Sequence, residues 1–536
     1  MADGVTRDTA DTRAPRSWLA AGVAIIVLLR IPAFLEPHWY SDESTYAYVG
    51  RTIFNGGVLY RSPGAWDNKP PLQYWMYGIV THFLGYSAAA IHLVPFASAI
   101  AAVLAVGWGV ARLTGSQRRA GIARVVAALI IGPPIFDAQL FLPEGALIGP
   151  MTWAGMLMLV HTASPEWASR HRWAPYVAGV LASMALGMQQ TVIADIAAIV
   201  IITLVTGQRR WHALLPFLGT GLAVSLLWFL PTLIASGWNA TVFANIGFYQ
   251  IYAHKALPAT PLSRVLHFAG IAGGVIAIIV GSALLARRTR NPFWMLWLLG
   301  GTDLLVAGSA HFPYPHLLVP SIPWLAAAIA ATPWLRWSAL GAGLAQPQRW
   351  SGVVLMAAGL ILALVEGSYA GSYWINGRSL EDYYTNGYAS LVSASERSYW
   401  QSTFDSHVRP DMAVTAWLTS HHYAGSSAVL WNASDEWVYL TTPLSTTLPT
   451  VGLFNDDVLL GSRPAIGPYV ARHRPRITVT DAISVARRTS IIPVLATDYV
   501  ALYRVGPYVV YVEGSSPAAV TRESGANAAH DRRSAV

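Results

Sequence analysis

The sequence predicts an α-helical polytopic membrane protein, with about eleven transmembrane helices and a C-terminal extracytoplasmic α/β domain. Three observations predict it. Of the 536 residues, 54% are hydrophobic and only 12% are charged, about half the charge of a soluble globular chain. Apolar runs close to the ~20 residues that cross a bilayer recur from residue 18 to residue 371. Beyond 372 the chain turns polar and aromatic, with short β-branched runs between helix-like pieces.

The expected spans are 18–35, 88–112, 120–138, 142–162, 173–188, 190–206, 212–235, 262–286, 292–309, 316–332 and 351–371. Residues 71–86, PLQYWMYGIVTHFLGY, are short, aromatic and punctuated by His82, and read as a segment lying in the membrane interface. Residues 1–17 form a polar tail with Arg7, Arg13 and Arg16. The apolar run after it is long and ends in Glu36, Pro37 and His38 rather than at a small-residue cleavage site. It therefore reads as a retained first membrane helix.

Arginine sets the orientation, because short cytoplasmic loops carry the excess cations. With the N-terminus inside, the inner loops hold Arg112, Arg118, Arg119 and Arg124, then Arg170 and Arg172, Arg209 and Arg210, Arg287, Arg288 and Arg290, and Arg336 with Arg349. The outer loops hold Arg51, Arg61, Lys69, Lys255 and Arg264. The net charge of +8 is thus a topology signal, not a nucleic-acid footprint. An odd number of spans leaves 372–513 outside as the soluble domain, with 514–536 a small, polar tail expected to be disordered. There are no cysteines, which excludes disulfides and Cys-ligated metals.

Under this topology the polar residues gather on the outer side. Asp42, Glu43, Asp67 and Lys69 lie in the first outer loop, 36–87. Asp137 and Glu144 flank the turn PPIFDAQLFLPEGAL, and Gln189 with Gln190 occupy the next outer turn. Asn239, Asn245, Tyr249, Tyr252, His254 and Lys255 fall in the fourth outer loop, and Asp303, His311, Tyr314 and His316 near the fifth. Ionisable groups near membrane depth are costly, so such a concentration points to a site. Each also has a plain structural reading. Asp42, Glu43 and Glu144 suit helix N-termini, each by about 0.3–1 kcal/mol. Gln189 and Gln190 can join helices, His316 after a proline can start one, and Asp137 can satisfy backbone freed by Pro133 and Pro134. WDNKPPL is harder to read that way, since Lys69 before two prolines sits in extended backbone. Lysine occurs only at positions 69 and 255 in this arginine-rich chain, and an ammonium can engage a phosphate oxygen.

These stretches carry a resemblance. A first span containing Arg30, then DESTYAY with Gly56, Gly57 and Tyr60, then WDNKPPL, resembles the GT-C membrane glycosyltransferases. The branch is that of the protein O-mannosyltransferases and the lipid A aminoarabinose transferase. LPEGAL and HFPYPHLLVPSIPWLAA are similar to that branch as well, and the likeness covers residues 18 to 371. It implies transfer of a sugar from a polyprenyl-phosphate donor to an acceptor hydroxyl at the outer face of the membrane, with inversion by single displacement. The Arg-over-Lys bias, abundant Ala and lack of Cys suggest that the membrane is a bacterial cytoplasmic one. It implies Asp42 as general base with Glu43 in support. Lys69, His316 and Lys255 would meet the donor phosphate, and Glu144, Asp137, Gln189 and Gln190 would position the base or nearby cations. Many relatives carry a basic residue where this chain has Gln189 and Gln190. No obligate cofactor is expected, although a divalent cation is compatible with so many acids. The expected partners are the lipid-linked donor, a glycan, lipid or protein acceptor and membrane lipids. Nucleic acid is not among them. The main competing reading is a transporter or flippase of a lipid-linked sugar, which should place polar residues near mid-membrane in broken helices. A non-catalytic scaffold, for which Asp42 is dispensable, is the third. The Trp and Tyr residues after 372 suit sugar stacking or core packing.

Overall fold

A computed structural model describes residues 16–206, 210–254, 261–286, 293–309, 314–331, 380–431, 436–451, 466–481 and 491–514. They form two compact units. One comprises Met1–Pro37 and Asn68–Asp405, the other His38–Asp67 and Ser406–Val536.

The first unit is helical. It contains α1 (Arg16–Arg30), while α2 (Ser41–Phe54) belongs to the second unit. Then follow α3 (Pro71–Leu84), α4 (Ala88–Thr114), α5 (Gln117–Ile131), α6 (Pro143–Ala163), α7 (Pro165–Arg170) and α8 (Ala174–Leu186). The series continues with α9 (Ile193–Thr206), α10 (Arg210–Ser236), α11 (Trp238–Val242), α12 (Phe248–His254), α13 (Pro261–Ala286), α14 (Trp294–Ser309) and α15 (Ser321–Ala331). A helix lies in every expected span from 18–35 to 316–332. The expected span 351–371 and residues 1–15 and 515–536 of the polar tails lie outside the described residues, as do Lys255 and His311. Among the described residues, α4, α6 and α10 are long and apolar enough to cross a bilayer alone.

Local chemistry sets the helix ends. Ser87 accepts a hydrogen bond from the Ala90 amide and starts α4, and Ser116 does the same for α5 through Arg119. Gly115 takes the left-handed conformation, φ 71°, that stops α4. Prolines open α3 and α6, where a missing N–H costs nothing. Packing is close where residues are small. A Cβ on Gly270 would lie 2.8 Å from the Gly308 Cα, so α13 and α14 meet backbone to backbone. On α10, Leu215, Leu222, Leu227 and Ile234 are exposed. Such an apolar face suits lipid and would be a liability in water. On α3, Trp75, Ile79 and Phe83 form an exposed apolar row at i, i+4 and i+8, while Tyr74, Tyr77 and Thr81 are buried.

Helices Leu380–Val392 and Ala394–Thr403 also belong to the first unit. Composition groups them with the polar C-terminal region. Their contacts lie with the end of the first span. Tyr383 donates to Glu36 Oε1 at 2.6 Å and Gln401 Nε2 to the Leu35 carbonyl at 2.8 Å. Burial, followed by the neighbouring Glu36 charge, pushes the Tyr383 hydroxyl well above its ordinary pKa.

The second unit is the expected α/β fold. Its five strands are β1 (Ser427–Trp431), β2 (Ser445–Thr446), β3 (Ile477–Asp481), β4 (Tyr499–Val505) and β5 (Tyr508–Glu513), in the order β2-β1-β3-β5-β4. β1 pairs parallel with β2 and β3, and β5 pairs antiparallel with β3 and β4. Val429, Trp431, Leu448, Ile466, Val470, Ile491, Leu495 and Tyr499 form a core. Trp431 and Trp437 are both at least 98% buried, so both are packing residues.

Segment 38–67 is built into this unit. Arg51 donates through Nη1 to the Tyr439 carbonyl at 2.9 Å and through Nη2 to the Leu444 carbonyl at 2.6 Å. The Thr446 amide donates to the Tyr48 hydroxyl at 2.9 Å. The Gly64 and Trp66 amides donate to the Leu448 and Pro449 carbonyls. Gly64 has φ +69° and is pressed against Tyr48 and Thr446. Only glycine fits such a position without strain.

Candidate active site

The expected site residues fall into two polar groups, one in each unit.

In the first unit, loops between helices gather side chains at one end of the bundle. The 137–144 turn is shaped by Asp137, whose φ of +54° ends a short 3-10 helix at Phe136. Aspartate is one of the few non-glycine residues that tolerates that conformation. Helix α3 holds the turn, with Gln73 Nε2 and the Tyr77 hydroxyl both donating to the Phe141 carbonyl, at 3.1 and 2.9 Å. Glu144 then sits in the first turn of α6, 3% exposed. Its Oε1 accepts from Gln189 Nε2 at 3.0 Å. Asp137 Oδ2 lies 3.6 Å from His316 Nδ1, and both residues are buried.

Lys69 is half-buried, next to a backbone that is held from several sides. Its amide donates to the Tyr74 hydroxyl at 2.8 Å. The preceding Asn68 carbonyl accepts from Gln190 Nε2 at 2.9 Å and from the Tyr249 hydroxyl at 3.2 Å. Gln190 Nε2 also reaches the Asn245 carbonyl at 3.4 Å. Thus Gln189 and Gln190, adjacent in sequence, brace Glu144 and the Lys69 segment respectively.

A cavity of about 50 Å³ opens beside this group, lined by Glu144, Thr191, Asp195, Asp303 and apolar neighbours. Asp195 and Asp303 are 3% and 6% exposed and within hydrogen-bonding reach of each other. Glu144 and an aspartate pair that shares a proton line this cavity with carboxyl groups, which suit water, hydroxyls or cationic groups better than a phosphate. Phosphate has more to gain beside Lys69. Among the described residues, no three His, Asp or Glu side chains converge to hold a metal ion. Asp195 was not among the expected residues. It stands within the apolar stretch TVIADIAAIV, and an acid inside an expected span was itself the available signal.

In the second unit, Asp42 and Glu43 occupy the first turn of α2. Asp42 is exposed and Glu43 is 4% exposed, so neighbours in sequence have opposite surroundings. The Tyr46 hydroxyl lies 3.5 Å from Asp42 Oδ2. A third acid, Glu436, is also present, 4% exposed. Its Oε2 accepts from Ser41 Oγ at 2.7 Å and lies 3.1 Å from Ser44 Oγ, which also donates to the Ser41 carbonyl at 2.6 Å. Burial pushes its carboxyl up to about 7. The two hydroxyl donors oppose the rise, and the nearby Asp42 charge adds to it. No sequence signal marked Glu436, which stands 395 residues from Ser41.

The bundle and the sheet unit together define the class: the chain has the fold of the GT-C membrane glycosyltransferases. Among the solved structures it is similar to are two of ArnT from Cupriavidus metallidurans. With ArnT bound to undecaprenyl phosphate the TM-score is 0.60 at 16% identity, covering 94% of this chain and 99% of that one. With the apo state the TM-score is 0.62 at 15% identity, covering 92% and 98%. No family model matches the chain, and no curated protein sequence matches it.

Proposed function

We propose that this chain is a membrane glycosyltransferase, moving a sugar from a polyprenyl-phosphate donor to a hydroxyl of a cell-envelope glycan, lipid or protein. The observation that carries this reading is the fold match over nearly the full length of ArnT, a protein solved with undecaprenyl phosphate bound. The reaction takes place at the outer face of a bacterial cytoplasmic membrane, with the N-terminus inside and the sheet unit outside.

In the step, the acceptor oxygen forms a bond to the anomeric carbon as its proton passes to the Asp42 carboxylate. The bond from that carbon to the donor phosphate breaks, and polyprenyl phosphate leaves with the electron pair. Lys69 and His316 meet the charge that develops on the leaving phosphate, and Lys255 is a third candidate for that contact. The sugar carbon is inverted, because displacement is single. Exposure of Asp42 supports its role as the base, since an acceptor hydroxyl must reach it. Burial of Glu43 supports a structural part for that neighbour.

The test uses the full-length protein purified in detergent, a polyprenyl-phosphate-linked sugar and a hydroxyl acceptor. Transfer without an intact membrane separates an enzyme from a flippase. Asp42→Asn is expected to lower transfer by about 10²–10⁴-fold. Transfer at the wild-type rate sinks the base assignment.

A further inference from the structure

We propose that Glu436 is a positioning residue for Asp42, holding the first turn of α2 from the C-terminal part of the chain. The inference rests on the reading of Asp42 as the base.

Helix α2 starts without a side-chain N-cap. Its cap residue is Tyr40, which makes no side-chain capping bond. The first amides of a helix are unsatisfied unless something meets them, and an unrestrained first turn frays. Here the restraint comes from two consecutive residues far along the chain. Glu436 Oε2 takes the hydroxyl of Ser41 at 2.7 Å and lies 3.1 Å from Ser44 Oγ, whose single proton is shared with the Ser41 carbonyl at 2.6 Å. Trp437 Nε1 donates to the Tyr40 carbonyl at 3.3 Å, and its ring stacks on His38 with centroids 4.0 Å apart. Asp42 lies between the two serines, so fixing the residue before it and the residue two after it fixes its backbone.

Glu436 is a poor candidate for the base itself. It is 4% exposed, and one of its oxygens already receives the Ser41 hydroxyl with Ser44 Oγ close by. Asp42 is exposed, and the Tyr46 hydroxyl lies 3.5 Å from its Oδ2. The raised pKa of Glu436 fits the same division of labour. Where two carboxyls share a neighbourhood, the buried one holds the proton and leaves the other ionised. A catalytic group is effective when its support is locked by hydrogen bonds from behind, and loses rate when that support loosens.

The experiment uses the full-length protein reconstituted in lipid nanodiscs, with Glu436→Ala, Glu436→Gln and the double variant Ser41→Ala/Ser44→Ala. Amide hydrogen exchange over residues 41–46 is measured beside kcat and KM for the donor. Glu436→Ala and the double serine variant are expected to speed exchange there about tenfold or more. They are expected to lower kcat about tenfold or more, with KM within about threefold. Glu436→Gln keeps an oxygen for both hydroxyls and is expected to retain kcat within about threefold. Should Glu436→Ala fail to fold, the serine pair decides by the same readouts. A kcat within about twofold of wild type in the alanine variants, or unchanged exchange at 41–46, overturns the inference. So does a Glu436→Gln kcat no better than that of Glu436→Ala. If the wild-type protein transfers no sugar from any polyprenyl-phosphate donor, the enzymatic reading fails and the positioning role falls with it. Faster exchange in the variants then still separates a structural clamp from no contact at all.

Discussion

Gln189 donates to the carboxylate of Glu144 at 3.0 Å, although Gln189 stands in an extended link and Glu144 in the first turn of α6, 45 positions apart. Glu144 is 3% exposed. Removing its donor leaves a buried oxygen without a partner, which costs about 1–3 kcal/mol. Gln189→Ala is therefore expected to lower thermal stability in detergent. Adding Glu144→Gln to that variant should recover part of the loss by removing the charge. Scanning fluorimetry on the single and double variants checks both outcomes, and additive losses would show that the contact carries no energy.

Glu436 makes the second unit sensitive to pH. Its carboxyl titrates near 7 in the fold against about 4.5 in an ordinary glutamate, so the folded unit holds that proton more tightly. The stability it contributes is complete below about pH 4.5 and is lost as pH rises to about 7. The full difference is on the order of 3 kcal/mol. Unfolding followed from pH 4.5 to 8 is expected to show this fall in the wild type. It should be flattened in Glu436→Gln, and a parallel fall in both proteins argues against the assignment.

Lys69 supplies the compact cation next to a backbone braced by Gln190, Tyr249 and Tyr74. Lys69→Met is expected to lower transfer about 10²-fold or more, since stabilisation of a leaving phosphate is lost at the moment of reaction. Lys69→Arg keeps the charge but changes its geometry, and should fall between the two. Initial rates over a range of donor concentrations decide this. Equal activity of the methionine variant and the wild type removes Lys69 from the mechanism.

Gly64 offers a purely structural check on the second unit. A Cβ there would lie 2.3 Å from the Tyr48 ring and 2.7 Å from the Thr446 methyl, in a left-handed backbone. Gly64→Ala is expected to destabilise by roughly 1–3 kcal/mol through strain and overpacking. Exchange protection of the Leu448 region should drop with it, whereas Gly56→Ala meets no atoms within 4 Å and should cost less.

The sequence made some of this legible and hid the rest, for physical reasons. Spans such as 88–112 and 142–162 stand out because a bilayer demands a long unbroken apolar run, and α4 and α6 lie there. Residues Asp137, Glu144, Gln189, Gln190 and His316 were visible as polar groups at predicted loop ends, and the fold brings them into one neighbourhood. Their pairing was not visible, because Asp137 meets His316 across 179 positions of chain (316 − 137). Asp195 was masked by apolar neighbours that satisfied the span criterion without it. Glu436 and the placing of 38–67 with the sheet were out of reach. Both depend on contacts near 400 residues apart, which local pattern and propensity do not encode.

The joining of segment 38–67 to the sheet also sets an order of assembly. Ser41 and Glu436 are separated by 395 residues. At the ~5–20 residues per second of synthesis, the helix that carries Asp42 waits roughly 20 to 80 s for the strands it must dock against. A chain released early would carry its membrane helices without the clamp on that helix. The proposed base is thus among the first parts made and among the last secured, so that a partly made chain is not yet a competent catalyst.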